Sequence, residues 1–246
     1  MQGRWIWTRT ALKEKGRVEA RPVFMPRLFL IGDSTCAIKR DDARPETGWG
    51  ECFQRYVKDG WVVDDRAING RSTKQVLENG EFSAVLNDVS EGDAVLIQFG
   101  HNDSKAEDPS RYSEPWHQYL VNLVYMAEVL GRKGAAVYFA TSIARRKFED
   151  GLVVDTHHDF PAAMKAAAMQ ASVPCIDMTY ITMVAIQRMG EIESKKMFMN
   201  FERGEYPNYP EGKSDDTHLR REGAEWIASL VYRQLSSLSP KPSFLI

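Results

Sequence analysis

Three polar residues of this sequence have the types and spacing that acyl transfer requires. Ser34 follows an apolar run, residues 28–31, and the turn residue Gly32. Asp215 lies three residues before His218. Its carboxylate can therefore hydrogen-bond one imidazole nitrogen and leave the other as a base. The pattern predicts Ser34 as a nucleophile that attacks a carbonyl, His218 as its base and Asp215 as the acid that orients the imidazole.

Acyl transfer also needs hydrogen-bond donors for the negative charge that develops on the carbonyl oxygen. Two further apolar runs end near small polar residues, at Gly70 and at Gly100. Gly70 can adopt a backbone angle that brings its N–H group close to a ligand. The predicted oxyanion donors are the N–H groups of Ser34 and Gly70 and the side-chain amide of Asn102.

Each of these patterns also has a purely structural explanation. Asp-Ser-Thr sequences cap helices, and glycine commonly ends a strand. The segment before the last helix also fits a capping aspartate, Asp215 or Asp216, followed by His218 as a surface residue. The acyl-transfer interpretation therefore depends on all of these features occurring together.

Short apolar runs alternate with helical patterns along the chain. Strands that alternate with helices form parallel sheets with helices on both faces, so the pattern predicts an α/β fold. Ligands of such folds bind outside the carboxyl ends of the strands, where Ser34 is expected. The predicted strands are residues 28–31, 61–68, 94–99, 135–140 and 174–178, and the predicted helices are 49–58, 117–133, 160–171 and 221–235.

A length of 246 residues fits one α/β domain of ordinary size. We expect an extension outside the fold at residues 1–26, the α/β domain at 27–236 and an irregular tail at 237–246. Two long irregular stretches, 103–116 and 199–217, adjoin the predicted site. Loops of this length within compact domains are usually functional or mobile.

Charge and cysteine content narrow the possible partners and the compartment. The net charge is -2 with interspersed signs, so neither nucleic acid nor a membrane is an expected partner. No apolar run is long enough to span a bilayer, and the first residues lack the apolar core of a signal peptide. Cys36, Cys52 and Cys175 cannot all pair within one chain and lack metal-ligand spacing. We therefore expect a cytoplasmic protein.

Several sequence blocks resemble the SGNH (GDSL-type) hydrolase superfamily. The four general blocks are Gly32-Asp-Ser-Thr35, Gly70, Gly100-His-Asn-Asp103 and Asp215-x-x-His218. Three further segments are similar to the rhamnogalacturonan acetylesterase-like branch: Arg145-Arg-x-Phe148, Asp155-Thr-His-His-Asp-Phe-Pro161 and Gly204-Glu-Tyr-Pro-Asn-Tyr-Pro-Glu-Gly212. The resemblance runs from about residue 27 to residue 235.

The resemblance implies a three-layer α/β/α, flavodoxin-like fold around a five-stranded parallel sheet. It also implies deacetylation of plant cell-wall sugars, above all rhamnogalacturonan fragments, without a metal or cofactor. By the same matching, Ser34, His218 and Asp215 are the catalytic residues, and Ser34, Gly70 and Asn102 form the oxyanion hole. Cys36 departs from the pattern of the family. We interpret it as a packed residue, because no base is placed beside its thiol.

Aromatic and histidine side chains on the loops are candidates for contact with a sugar ring. Aromatic rings stack on sugars, although such residues also pack within their own loops. We expect adjacent histidines to shape the rim of the site, because no further metal ligands lie near them in the sequence. His101 is expected to be a structural hydrogen-bonding residue. The predicted substrate contacts are Trp116, His157, His158, Tyr206 and Tyr209.

Other functions stay open at this point. Within the esterases, acetylated xylooligosaccharides and the substrates of lipases or thioesterases are alternatives. A metal-dependent phosphoesterase would explain the polar clusters but not the serine at the strand end. A carbohydrate-binding protein without activity is disfavoured because the predicted site has all of its members. The ligand set of the phosphoesterase alternative is Asp33, Asn102, Asp103, Asp215 and His218.

Overall fold

A computed structural model describes residues 25–246 of the chain. The strands are β1 (Arg27–Gly32), β2 (Val62–Asp65), β3 (Ala94–Gln98), β4 (Ala136–Ala140), the hairpin strands β5 (Phe148–Glu149) and β6 (Leu152–Val153), and β7 (Cys175–Ile176). Five of them form a central sheet in the order β2-β1-β3-β4-β7. All four neighbouring pairs are parallel, which confirms the predicted sheet.

Helices cover both faces of the sheet and give the predicted three-layer α/β/α architecture. The helices are α1 (Thr73–Glu78), α2 (Glu81–Asp88), α3 (Leu120–Arg132), α4 (Phe160–Ala171), α5 (Met178–Ser194) and α6 (Arg221–Ser236). One face of the sheet packs against α1 to α4, and the other against α5, α6 and a short 3-10 helix, Trp49–Tyr56.

The continuous apolar run of β1 follows from its position inside the sheet. Leu28 and Leu30 point into the core on the α6 side, whereas Phe29 and Ile31 point into the core on the α3 side. Successive side chains of a strand face opposite ways, so a strand covered on both faces needs apolar residues throughout. Burial on both faces therefore anchors β1 in the sheet, directly before the loop that carries Ser34.

The helix boundaries differ from the predicted ones where local geometry departs from a regular α-helix. The segment predicted as a helix at 117–133 opens with a π-helical turn, Pro115–Tyr119, before α3. Three helices, α1, α2 and α5, were not predicted. The first two are short, and Gly190 interrupts the last with φ 78° and ψ 168°. These features weaken the hydrophobic period by which helices are recognised.

The two ends of the chain flank the predicted domain. Residues 1–24 of the predicted extension lie outside the described residues. The tail, 237–246, forms no regular helix or strand, but Phe244 and Leu245 are buried, and Leu245 pairs with Val57 in an antiparallel bridge. The tail is thus irregular and packed against the core.

None of the helices within residues 25–246 combines the length and the apolar character needed to cross a membrane. The predicted compartment and the predicted division into three segments stay predictions.

Candidate active site

Ser34 lies directly beyond the carboxyl end of β1, in a tight turn. The N–H groups of Cys36 and Ala37 donate to the carbonyl oxygen of Asp33, at 3.2 and 3.1 Å. This turn leaves the Ser34 side chain partly exposed at the edge of the sheet. The strand and the turn together present a hydroxyl where ligands of parallel sheets bind.

Ser34, His218 and Asp215 form one chain of hydrogen bonds. The Ser34 Oγ atom lies 2.9 Å from His218 Nε2, across 184 residues of sequence. His218 Nδ1 lies 2.8 Å from Asp215 Oδ2. The structure therefore brings together the three residues predicted to act in acyl transfer, with the geometry of a Ser-His-Asp triad.

The charge and the hydrogen bonds of Asp215 fix the tautomer of His218. Burial by itself would raise the pKa of Asp215, but the hydrogen bond and charge of His218 and the N–H groups of Thr217 and His218 outweigh it, and the pKa lies below its ordinary value. An ionised carboxylate only accepts hydrogen bonds, so His218 Nδ1 carries the proton. His218 Nε2 is then free to accept the hydroxyl proton of Ser34.

Two side chains from other parts of the chain hold the segment that carries Asp215 and His218. Asn200 donates from Nδ2 to the Asp215 carbonyl at 3.1 Å and accepts from the Asp215 N–H at 3.2 Å. Asp216 forms an ion pair with buried Arg146 at 3.0 Å. The cap position of α6 is Arg220, which makes no side-chain capping bond. The alternative in which Asp215 or Asp216 caps this helix is therefore wrong.

Each of the three predicted oxyanion donors keeps an N–H bond that no described residue of the protein accepts. Within residues 25–246, the N–H groups of Ser34 and Gly70 donate to no protein acceptor. Gly70 has φ 76°, a left-handed angle that a residue with a side chain rarely adopts. Asn102 uses one N–H of its amide on the carbonyl of Arg71, at 3.0 Å, and accepts from Arg111 Nη1 at 3.4 Å. Its second amide N–H remains free to donate.

The loop that carries Asn102 requires a glycine at position 100. The φ of Gly100 is 141°, and a Cβ atom there would lie 2.5 Å from the Oγ atom of Ser142. A side chain at this position would clash with Ser142 in the loop after β4. The glycine therefore allows the loops after β3 and β4 to pack closely.

Two buried aspartates hold the loops instead of forming a shared ion site. Asp33 accepts from the N–H and hydroxyl of Thr35, at 2.9 and 2.8 Å, and burial raises the pKa of Asp33. Asp103 accepts from the N–H and hydroxyl of Thr73, and burial raises the pKa of Asp103 to about 7. In the described part of the chain, no group of three or more His, Cys, Asp or Glu side chains has the arrangement to hold a metal ion. The ligand set of the phosphoesterase alternative is not assembled.

A pair of buried histidines, His101 and His157, lies near the site. His101 Nδ1 lies 3.2 Å from His157 Nε2, and the two residues are 4% and 0% exposed. Burial lowers the pKa of both rings, that of His157 to about 3. The expectation that His157 lines the rim is therefore wrong, because its side chain is enclosed. His158 is exposed, with φ 49°, and its contact with substrate stays a prediction.

The aromatic candidates divide into one exposed ring and two packed rings. Trp116 is 46% exposed and donates from Nε1 to Asp159 at 3.1 Å. Tyr206 and Tyr209 pack against Phe201, with ring centroids 4.6 and 5.5 Å apart. Both tyrosines thus support their own loop, and contact of either ring with substrate stays a prediction.

The thiol of Cys36 is enclosed under the nucleophile turn. The residue is buried, and burial together with the charge of Asp65 raises the pKa of Cys36 well above its ordinary value. A protonated, enclosed thiol is a poor nucleophile. The structure thus agrees with the interpretation of Cys36 as a packed residue.

Sequence reasoning missed two cations beside the site. Lys39 contacts the main-chain carbonyl of Ser34, and Arg111 contacts the side chain of Asn102. The sequence around Lys39 does not indicate that this side chain is buried. In the structure both of its neighbours, Ile38 and Arg40, are exposed. Arg111 lies in the loop 103–116, whose length was the only available signal.

The fold and the geometry of the site define a class of protein, the α/β acyl hydrolases with a Ser-His-Asp arrangement. The sequence profile of the GDSL-like Lipase/Acylhydrolase family matches residues 30–226. The chain belongs to this family.

Known proteins agree with this assignment. The rhamnogalacturonan acetylesterase RhgT of Bacillus subtilis is 38% identical over 213 residues, which cover 86% of this chain and 90% of the relative. A rhamnogalacturonan acetylesterase of Emericella nidulans is 28% identical and covers 82% of this chain and 81% of its own. The solved structure of protein YXIM of Bacillus subtilis superposes with a TM-score of 0.75 at 20% identity, covering 88% of this chain and 57% of that chain. That last similarity shows the fold alone.

Proposed function

We propose that the protein is a serine acetylesterase that removes O-acetyl groups from plant cell-wall oligosaccharides, specifically from rhamnogalacturonan fragments. The observation that carries this proposal is the hydrogen-bonded chain from Ser34 Oγ through His218 to Asp215. The relative at 38% identity, named a rhamnogalacturonan acetylesterase, supports the choice of substrate.

The first half of the proposed reaction transfers the acetyl group to the enzyme. Ser34 Oγ attacks the acetyl carbonyl carbon while His218 Nε2 accepts the hydroxyl proton. The tetrahedral intermediate then collapses, and His218 returns the proton to the departing sugar oxygen. The products are an acetyl ester on Ser34 and the deacetylated sugar.

The second half releases acetate. A water molecule gives one proton to His218 Nε2, and its oxygen attacks the acetyl carbonyl. The bond to Ser34 Oγ breaks, the proton returns to that oxygen, and acetic acid leaves and ionises to acetate. In both halves Asp215 keeps the imidazole in the required tautomer and stabilises the imidazolium that forms.

The negative charge of both tetrahedral intermediates would lie on one oxygen atom. The N–H groups of Ser34 and Gly70 and the free amide N–H of Asn102 are the proposed donors. These are neutral dipoles held by folded loops, so they need little reorganisation when the charge develops. Removing one such donor typically costs about 10²-fold or more in rate.

The substrate contacts remain part of this proposal. Trp116 offers an exposed ring on which a sugar can stack, and exposed His158 lies on the loop that also carries Asp159, the partner of Trp116. Acetylated xylooligosaccharides are the main alternative substrate within the same chemistry. An acetylated oligosaccharide is the only partner that the proposal requires.

Mass spectrometry of defined oligosaccharides tests the proposal. Acetylated rhamnogalacturonan and acetylated xylan fragments are incubated separately with the wild-type protein and with Ser34→Ala. We expect acetyl mass to disappear from the rhamnogalacturonan fragments with the wild type only. Loss from the xylan fragments alone would contradict the proposed substrate, and equal loss with Ser34→Ala would contradict the proposed chemistry.

A further inference from the structure

Lys39 is a buried cation that the proposed reaction does not use. It follows Ser34 by five residues, and its side chain is 1% exposed. Lysine is almost never fully buried unless its charge is paired. Its surroundings must therefore supply acceptors for all three N–H bonds of the ammonium group.

Three acceptors surround the Lys39 ammonium group. Its Nζ atom lies 2.5 Å from the carbonyl oxygen of Ser34 and 2.6 Å from Oδ1 of Asn69. It also forms an ion pair with Glu46, at 2.9 Å from Oε1. Each N–H bond of the ammonium group thus has an acceptor. The three acceptors come from separate positions in the loops around the site.

Two of these partners flank the proposed oxyanion hole. Ser34 carries the nucleophile and one of the predicted donors. Asn69 immediately precedes Gly70, so the peptide unit between them carries the Gly70 N–H. The Lys39 ammonium group therefore connects the loop after β1 with the loop after β2, beyond the point where the sheet itself holds the two strands together.

Glu46, the third partner of Lys39, extends this series of contacts toward Asp215. Glu46 Oε2 lies 3.8 Å from Lys213 Nζ, and Lys213 Nζ lies 3.4 Å from Asp215 Oδ2. Tyr209 joins the same two regions, since its hydroxyl donates to the carbonyl of Ala43 at 3.1 Å. A series of alternating charges thus runs from the nucleophile loop to the loop of Asp215.

We propose that Lys39 is a positioning residue of the acyl-transfer site, whose ammonium group holds Ser34 and Asn69 so that the Ser34 and Gly70 N–H groups converge on one oxyanion. The inference rests on the proposed function. Because the oxyanion exists only in the transition state and the intermediate, loss of this positioning lowers kcat and leaves KM nearly unchanged. A lysine that serves only the fold would change stability and not the turnover of folded enzyme.

Two single variants remove the connection from opposite ends. Lys39→Met removes the ammonium group, and Asn69→Ala removes one acceptor from an exposed residue, which is the milder change for folding. For each we expect kcat for an aryl acetate to fall by about 10- to 100-fold, with KM within about twofold of wild type. The amount of folded protein is measured by circular dichroism, so that turnover is compared per folded molecule.

A matched control separates positioning from general support of the same segment. Arg44 forms an ion pair with Glu51 at 2.7 Å and donates to the carbonyl of Lys39, but it contacts neither Ser34 nor Asn69. We expect Arg44→Met to lower the thermal midpoint while kcat per folded molecule stays within about twofold of wild type. An equal fall in kcat for Arg44→Met and Lys39→Met would overturn the proposal.

A double variant gives the sharpest form of the test. If both residues act through one contact, Lys39→Met combined with Asn69→Ala costs no more than the larger single effect. Additive losses, or a kcat within twofold of wild type for Asn69→Ala, would overturn the positioning role even if Lys39→Met does not fold. Absence of Ser34-dependent turnover in the wild type would instead overturn the proposed function, so the two failures are distinguishable.

Discussion

His218 and the pair formed by His101 and His157 are imidazoles in two contrasting environments. His218 is 29% exposed and has a carboxylate on one ring nitrogen and a hydroxyl on the other. The two other rings are enclosed and hydrogen-bonded to each other, and neither has a carboxylate partner among residues 25–246. Burial, His157, Arg145 and the charge of His218 all lower the pKa of His101. The two regions are therefore near each other.

The contrast shows what makes an imidazole a base in this fold. Burial disfavours the charged form of histidine, so the enclosed pair stays neutral near pH 7. The carboxylate beside His218 orients the ring and stabilises the imidazolium that forms during acyl transfer. Exposure also differs, since the His218 side chain is partly exposed whereas His101 and His157 are enclosed. The predictions below test this contrast in order of decreasing expected effect.

The largest effect is expected when either end of the Ser34–His218 hydrogen bond is removed. Ser34→Ala and His218→Ala should each lower kcat for an aryl acetate by about 10⁵-fold or more, because no other group in the site supplies the nucleophile or the base. Steady-state kinetics measure the loss, and thermal denaturation checks that folding is intact. Wild-type turnover in the Ser34 variant would contradict the mechanism.

Asp215→Asn should have the second largest effect. The amide keeps the shape of the side chain but no longer requires a proton on His218 Nδ1, so the tautomer with a free Nε2 is lost. We expect kcat to fall by about 10³- to 10⁴-fold, less than for loss of the base. Asp216→Asn is the matched control, because Asp216 pairs with Arg146 and not with the imidazole. Equal losses in the two variants would show that the carboxylate of Asp215 has no special role.

Asn102→Ala should have a smaller effect on rate. The variant removes one of three proposed oxyanion donors, and we expect kcat to fall by about 10²-fold with little change in KM. Because Asn102 also bonds the carbonyl of Arg71, the thermal midpoint is measured alongside the rate. A rise in KM at constant kcat would indicate that the amide binds the ground state of the substrate instead.

His157→Gln should alter stability at acid pH more than it alters the rate. Burial lowers the pKa of His157 to about 3, so the folded state binds fewer protons than the unfolded state between about pH 3 and pH 6.5. This ring therefore stabilises the fold above pH 6.5, and the contribution is lost as the pH falls through that window. Its protonation should remove roughly 1 to 2 kcal/mol of unfolding free energy between pH 6.5 and pH 5.

Urea unfolding across that pH range measures the effect as the difference between wild type and variant. Asp65 and Asp103, whose pKa burial raises to about 7, contribute the opposite slope, because they favour the folded state at low pH. They are present in both proteins and cancel in the comparison. The exposed residue His117 supplies the control variant His117→Gln, which should keep the wild-type slope. A wild-type slope in His157→Gln would contradict the enclosed, neutral state of the ring.

The sequence predicts those parts of the fold in which local pattern and tertiary environment agree. β1 and β3 are buried on both faces and read as continuous apolar runs, and α4 was predicted with its observed bounds, because its apolar stripe is regular. α5 was missed because Gly190 breaks it and its apolar residues do not form one stripe. The 3-10 helix at Trp49–Tyr56 was predicted as a helix of ordinary type, since periodicity does not separate the two.

The site shows the same difference between residues that local sequence identifies and residues whose role depends on distant contacts. The Asp215 and His218 pair is local in sequence, and Ser34 follows a recognisable strand, so the type and order of the residues suffice to identify them. The enclosure of His157 depends on His101, 56 residues away, and no local signal reports it. The burial of Lys39 likewise depends on Asn69, 30 residues away. Contacts between distant segments decide which polar residues face the substrate and which support the fold.

Covalent labelling tests most directly whether Ser34 and His218 act as one site. The wild-type protein is treated with a fluorophosphonate, which reacts with activated serine hydroxyls, and the modified peptide is identified by mass spectrometry. We expect a single modification on Ser34, none in Ser34→Ala, and labelling of His218→Ala that is slower by orders of magnitude. Modification of a different residue, or acetate release by a protein whose Ser34 resists labelling, would contradict the account.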